Sequence, residues 1–332
     1  MIVRRTTSLH VAAAAKVSQA TVSRAFAGGK VSAKVRERIF EVARELNYQP
    51  NAVARSLTMG RSRQIGLIVS DQTSLIYPEL VYELTEHLAV LHYRVMLFTT
   101  NDNRSTETVL AEMRSHRVDG VISLAPLTPS QCRELERAEM SVVLYNQVAG
   151  PNISSIYCDH SEAGRRVAEA LVCGNYARIG VLAGPEESFV SGQFVTALKQ
   201  RLADGAVAIK VVNAPYRYDC GQSGAATLTC HADWQPDCII CVNDTVAAGC
   251  IDFLRFVAAR AVPEDIAIFA LNGRGPSLWA AYAITALRQP TDRMAEAAVQ
   301  AVLGRIDEPQ RPAEHRVFFA DYLPGKTGDL VL

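Results

Sequence analysis

The sequence predicts an all-α head of helix-turn-helix type joined to an α/β body of two parallel-sheet lobes. Three observations carry this. Short amphipathic segments fill residues 7–46, apolar strand-like runs alternate with helical stretches from Ile65 onward, and charge is divided unevenly between the two parts. The 332-residue chain has no net formal charge, yet residues 1–63 hold twelve Lys and Arg against three Glu. That surplus, offset by the remainder, marks a polyanion as partner for the head alone. The length suits two or three domains, and a 49% hydrophobic content suits a sizeable core.

In the head, Thr7 is a good N-cap before the alanine-rich SLHVAAAA, which favours a short helix. A tight turn at Lys16-Val17 follows, and Ser18 can cap a second helix by accepting from the Thr21 N–H. Val22, Ala25 and Phe26 fall at helical spacing and would pack on Val11, Ala12 and Ala15. Gln19, Ala20, Ser23 and Arg24 are left facing outward. Ser32 is placed to cap a third helix, in which Val35, Ile39, Val42 and Leu46 form the apolar stripe. Asn47 suits a left-handed C-terminal position and Pro50 forbids continuation. Three such helices with a turn between the first two form a helix-turn-helix. The segment NAVARSL (51–57) reads as one or two further helical turns, and MGRSRQ completes a basic linker.

The body repeats one pattern. Runs at 65–69, 93–99, 118–124 and 141–146 alternate with helical segments near 78–91, 105–116 and 130–139. After 153–159 and a helix starting near Ser161, runs at 178–184, 208–214, 237–243 and 265–272 repeat it. Two blocks of βα units imply two parallel sheets with helices on both faces, and ligands bind such sheets at the carboxyl ends of the strands.

Enzyme chemistry finds no constellation. GKT (325–327) lacks the first glycine of a phosphate loop, because that position is Ala320, and GQSGA (221–225) fails the nucleophile-elbow pattern at Ala225. No H-E-x-x-H occurs, and the Gly273-Arg274-Gly275 stretch is too short for a dinucleotide fingerprint. Cys238 and Cys241 would face opposite sides of a strand, which disfavours a shared metal; the eight scattered cysteines read as reduced thiols. No catalytic residue, metal site or cofactor is expected. The N-terminus lacks an apolar signal core and no 18-residue apolar run occurs, so a cytoplasmic protein is expected.

With these residues in view, VAAAAKVSQATVSRAFAGGKVSAKVRERIFEVARELNYQPNAVARSL resembles the headpiece of the lac repressor/galactose repressor (LacI/GalR) family of bacterial transcription regulators. The TVSRA core, the LNY-x-PN and the AVARSL are among its most specific marks. The likeness continues through RSRQIGLIVSD, HRVDGVI, CVND and VPEDIAI, and so covers essentially the whole chain. It implies a homodimer whose paired recognition helices enter the major groove of a near-palindromic operator. Gln19, Ala20 and Arg24 then hold the base-reading positions. Ser18 joins them at the helix start, and Thr21 and Ser23 match phosphate contacts. These types suit the task, since glutamine pairs with adenine, arginine with guanine, and alanine with a thymine methyl. Asn51, Ala54, Arg55 and Leu57 match the hinge helix, with Leu57 as the minor-groove wedge.

The body resembles a periplasmic-binding-protein fold, two lobes about a cleft that holds a small effector, most often a sugar or sugar derivative. Family ligand positions fall on Asp71, Ser74, Ile76, Tyr77, Asn146, Asp159, Val190, Asn243, Asp244, Asn272 and Gln289. Asp71, Asp159 and Asp244 equally suit helix N-caps. Three departures stand out. Val190 replaces an arginine that hooks ligand hydroxyls or carboxylates, with Gln193 in place of that segment's glycine; Asn272 replaces an aspartate, so that Arg274 or Arg288 could substitute; and Lys16 replaces the usual small turn residue, a tolerable change. The expected boundaries are head 1–49, hinge and linker 50–63, and body 64–332. Within the body, one lobe takes about 64–160 and 290–318, the other 161–289 and 319–332. The chain is therefore read as a DNA-binding regulator, most simply a repressor. The alternative is a small-molecule receptor of the same fold acting through protein partners.

Overall fold

The computed structural model describes residues 6–26, 29–49, 61–70, 78–101, 103–203, 205 and 207–330. The chain divides into two compact units, Met1–Gln64 with Arg117–Asp119, and Ile65–His116 with Gly120–Leu332. Asp119 belongs with the first because its carboxylate accepts from the Ser62 and Arg63 N–H groups, at 2.7 Å each.

The first unit holds α1 (Ser8–Ala14), α2 (Gln19–Phe26) and α3 (Ala33–Glu45). The turn between α1 and α2 is made by Lys16 at φ 50°, with the Ser18 hydroxyl accepting from the Thr21 N–H at 3.2 Å. Val11, Ala12, Ala15, Val22, Ala25, Ile39 and Ala43 form the core. Its lower edge is closed by Phe26, whose ring centroid lies 5.0 Å from Phe40 and 5.8 Å from Tyr48. Ser32 stands at the start of α3, but through its carbonyl, which accepts from Val35 and Arg36; its exposed hydroxyl makes no cap. Asn47 at φ 49° ends α3.

The second unit is built from two sheets. The first has β1 (Gln64–Ser70), β2 (Arg94–Thr100), β3 (Gly120–Ser123), β4 (Ser141–Tyr145), β5 (Ser154–Cys158) and β11 (His315–Phe318), in the order β2-β1-β3-β4-β5-β11. Around it lie α4 (Pro78–Val90), α5 (Thr106–His116), α6 (Pro129–Arg137) and α11 (Thr291–Asp307). The second has β6 (Arg178–Ala183), β7 (Ala208–Asn213), β8 (Cys238–Cys241), β9 (Ala267–Asn272), β10 (Thr285–Arg288) and β12 (Asp321–Leu323), in the order β7-β6-β8-β9-β10-β12. Its helices are α7 (His160–Cys173), α8 (Phe189–Leu202), α9 (Tyr218–Thr229) and α10 (Asp244–Phe256). One strand order thus occurs twice, and only β12 runs antiparallel to its neighbour among the pairings described. Inner strands such as β3, β4, β8 and β9 are buried at every residue, as doubly covered parallel strands must be, whereas edge strand β7 alternates. Cys238 and Cys241 fall in different apolar clusters, on opposite faces of β8, and all eight cysteines are free thiols.

The segments set aside as chemistry prove to be packing devices. In GQSGA, Gly221 lets α9 ride on α10, since a Cβ there would sit 2.1 Å from the Val246 carbonyl oxygen; Gly249 on α10 does the same against Tyr218, at 2.0 Å. In GKT, the buried Thr327 hydroxyl donates to the Ile268 carbonyl at 2.6 Å and accepts from the Thr285 N–H at 3.0 Å. It ties residues 325–328 to β9 and β10. No described helix is long and apolar enough to cross a membrane.

Candidate nucleic-acid interface and ligand cleft

On α2 the alternation of buried Val22 and Ala25 with polar residues leaves Gln19, Ala20, Ser23 and Arg24 exposed and Thr21 half-buried. Ser18 is exposed at the helix start. Gln19 Nε2 donates to the Ser8 hydroxyl at 3.0 Å, and the Arg24 Nε reaches back to the Ala20 carbonyl at 3.3 Å. These light, solvent-facing bonds hold the side chains without burying them. A base edge or phosphate can replace them at little cost, because exposed hydrogen bonds trade against water. Asn51, Ala54, Arg55 and Leu57 lie outside the described residues.

In the second unit the two sheets face each other with their strand carboxyl ends. The strand order reverses between β1 and β3 in one and between β6 and β8 in the other, the position where open α/β sheets bind ligands. A cavity of about 340 Å³ opens there. It is lined by Ser70 and residues following β3, β4, β6, β7 and β8, with Asn272 at the end of β9. Among the expected ligand residues, Asn146, Val190, Asn243 and Asn272 lie on its wall. Asp71, Ser74, Ile76 and Tyr77 lie outside the described residues.

Asp159, Asp244 and Gln289 stand off the wall, each engaged elsewhere. Asp159 caps α7 by accepting from the Glu162 N–H at 2.8 Å. Asp244 is buried under the loop after β9, where it accepts from the Gly273 N–H at 3.1 Å and from the Ser277 hydroxyl. Burial raises its carboxyl to about 7 against those bonds. The true cap of α10 is Asn243, whose Oδ1 accepts from the Val246 N–H at 2.7 Å.

Gln289 is wholly buried behind the cavity and joins the lobes. Asn146 Nδ2, at the end of β4, donates to Gln289 Oε1 at 2.9 Å, and Gln289 Nε2 donates to Asn272 Oδ1. Asn146 Oδ1 accepts from the Cys158 N–H at 3.1 Å, so the relay also grips the crossover into α7. Asn146 and Asn272 both take positive φ, 53° and 96°, the conformation that turns their side chains toward this seam. Next to it His160, 2% exposed, is held neutral by burial, with its pKa lowered to about 4.

Sequence reasoning missed two further connections between the lobes. Arg274 does not enter the cavity. The Gly273 and Gly275 turns, at φ 64° and 48°, carry it to α4, where Nη1 contacts Glu79 at 3.0 Å and Glu83 at 3.2 Å. Two carboxylates four residues apart on α4 were the available signal, since they share one helix face. Tyr157 of β5 also meets Phe189 of α8 edge-on at 6.1 Å.

The geometry defines a two-lobed, cleft-bearing protein with a helix-turn-helix head. Residues 9–51 match the model for bacterial regulatory proteins of the lacI family, and residues 174–327 match that for a periplasmic binding protein-like domain. The chain thus joins a lacI-family helix-turn-helix domain to a periplasmic binding protein-like domain. It is 27% identical to catabolite control protein A of Priestia megaterium over 84% of this chain and 86% of that protein. It is 25% identical to the ribose operon repressor of Haemophilus influenzae over 90% and 91%. A crystal structure of the lac repressor dimer bound to operator and the anti-inducer ONPF superposes with a TM-score of 0.85 at 22% identity, covering 98% of this chain and 99% of that one.

Proposed function

We propose that the chain is a cytoplasmic repressor of transcription that binds a near-palindromic DNA operator as a homodimer. A small-molecule effector in the interlobe cleft, a sugar or sugar derivative, controls its affinity. The observation that carries this reading is the outward face of α2: Gln19, Ala20, Ser23 and Arg24 are all exposed, within an N-terminal stretch (residues 1–63) that carries a nine-charge basic surplus. Arg24 and Gln19 would read base edges, and Ser18, Thr21 and Ser23 would hold phosphates. Residues 1–49 form the head in this reading, and 50–63 the hinge, with Leu57 as wedge and Asn51, Ala54 and Arg55 beside it.

A second copy of the chain has a surface to use. Phe256 and Trp279 are 80% and 58% exposed, beside exposed Val257 and Leu278, an apolar group that a lone soluble body would cover. Effector binding would act by favouring one closure of the lobes, coupled through the Asn146–Gln289–Asn272 relay and the Arg274 contacts. Electrophoretic mobility shift with the DNA upstream of its own gene, over a salt series, tests the reading. Sequence-selective retardation that weakens steeply with salt is expected. A correctly folded dimer that retards no DNA would favour a receptor acting through protein partners.

A further inference from the structure

Gln19 and Arg24 are held differently on the outward face of α2. Arg24 Nε returns to the Ala20 carbonyl, one turn back on its own helix, whereas Gln19 Nε2 donates to the Ser8 hydroxyl of α1 at 3.0 Å. Ser8 and Gln19 are the first residues of their helices, and the turn at Lys16 sets the two helix starts side by side.

Ser8 is a fixed post. Just before it, the Thr6 hydroxyl donates to the Leu46 carbonyl at the end of α3, at 3.0 Å. The Thr7 N–H donates to His10 Nδ1 at 3.2 Å and closes the first turn of α1. Buried Val11 and Ala12 root the next turn in the core of the head. Ser8 itself is half-buried and Gln19 is exposed, so the flexible side chain hangs on the rigid one. A tethered glutamine has fewer rotamers to lose when it meets a base.

The tether also sets which way the amide points. A carboxamide nitrogen carries two hydrogens, and its oxygen only accepts. With one hydrogen given to Ser8, the other hydrogen and Oε1 remain for a base, one donor and one acceptor. Adenine shows the complementary pair in the major groove, an N7 acceptor and an N6 amino donor. Were the amide reversed, Oε1 would accept from the Ser8 hydroxyl and Nε2 would offer two donors. Two donors suit guanine, which shows acceptors at both N7 and O6.

We propose that Ser8 is a positioning residue for base recognition, fixing the polarity of the Gln19 amide so that Gln19 selects adenine over guanine. The proposal rests on the reading of α2 as the recognition helix and adds to it a residue from outside that helix. Gln19 keeps its bond to Ser8 on the base, because the hydrogen it gives Ser8 is not the one that adenine takes.

The test is selection by the full-length protein from a duplex library randomised across both half-sites, read by sequencing the bound fraction. Gln19→Ala identifies the base pair that Gln19 reads, through loss of preference at that pair. Ser8→Ala should lower the adenine-over-guanine preference at the same pair about threefold to tenfold and leave the other pairs unchanged. Ser8→Thr retains the hydroxyl and should retain the preference. In the Gln19→Ala background, Ser8→Ala should have no further effect on that pair, the coupling expected of two residues that act as one. The salt dependence of binding should be the same for all these variants, since no phosphate contact is removed.

A uniform loss across all pairs in Ser8→Ala, with a shallower salt dependence, makes Ser8 a phosphate contact and overturns the proposal. An unchanged adenine preference in Ser8→Ala overturns it too, as does a preference for guanine at the Gln19 pair. Each of these leaves the operator reading intact, because the protein still selects sequence. Enrichment of no sequence by the correctly folded, unmodified protein overturns the operator reading and the proposal together.

Discussion

The outward face of α2 and the seam between the two lobes are both made of small polar side chains, yet they spend them in opposite ways. On α2, Gln19, Ser23 and Arg24 are exposed, with Gln19 bonded to Ser8 and Arg24 to Ala20 within the head, so their hydrogen-bonding capacity is open to solvent. At the seam, Asn146, Gln289 and Asn272 are buried and bonded in series, the Asn146–Gln289 bond spanning 143 residues of sequence. An exposed polar residue can be replaced without harm to the fold, because its loss is made good by water. A buried one cannot, because its partner is left unsatisfied. The proposed recognition chemistry therefore sits where stability is indifferent to it, and the element that would transmit an effector signal sits where stability depends on it.

Proton linkage is the most forceful way to test the buried side. His160 has a folded pKa lowered to about 4, so its contribution is present above the ordinary histidine value and is lost as pH falls from 6.5 toward 4. Asp244 is raised to about 7, so its contribution is present at low pH and is lost as pH rises from 3.8 toward 7. Between pH 4 and 6.5 the two oppose each other. Denaturant unfolding across that window should show His160→Asn gaining on the unmodified protein as pH falls, by about 3 kcal/mol at pH 4. Asp244→Asn should instead gain as pH rises. Parallel curves for all three proteins would contradict this opposition.

Next in size, Arg24→Ala should lose about 1–3 kcal/mol of discrimination at one base pair per half-site. Its unfolding free energy should stay within roughly 0.5 kcal/mol of the parent. An operator-variant binding array is the readout, and uniform loss across all variants would show that Arg24 reads no base. Gln289→Leu breaks the relay and strands two buried amides. It should cost roughly 1–2 kcal/mol of stability in chemical denaturation while leaving the full-length protein's base preference across operator variants unchanged. The smallest effect belongs to Arg274→Ala. Its contacts with Glu79 and Glu83 are partly exposed, so the loss of stability should be under about 1 kcal/mol. A change in effector affinity without a change in midpoint temperature would identify that contact as a bias on lobe closure.

The same contrast explains what could be read from the chain alone. The α2 face depends on contacts within thirty residues: helical spacing, the Ser18 cap and the Lys16 turn were all visible in VAAAAKVSQATVSRAF. The alternation of strands and helices was equally local, and gave the two-sheet body. The relay was not visible in the same way. Asn146 and Gln289 were singled out as facing a ligand, and only the folded chain shows them facing each other at 2.9 Å. Asp159 and Asp244 illustrate a choice that spacing leaves open. An acid after a strand can cap a helix or line a site, and the former holds for Asp159, while Asn243 took the capping role from its neighbour. Arg274, expected as a substitute cation for the cleft, turns to α4 instead, because its direction is set by two positive-φ glycines.

The order in which the two sheets receive their last strands bears on how the protein comes into being. The first sheet is not complete until β11 at His315–Phe318 joins β5, and the second not until β12 and Thr327 reach β10 and β9. A ribosome must therefore release nearly the whole body before either lobe can close its sheet. The three helices up to Glu45 need nothing downstream for their core. During synthesis the DNA-reading part is complete first and waits, for most of the time of translation, on the part that would restrain it.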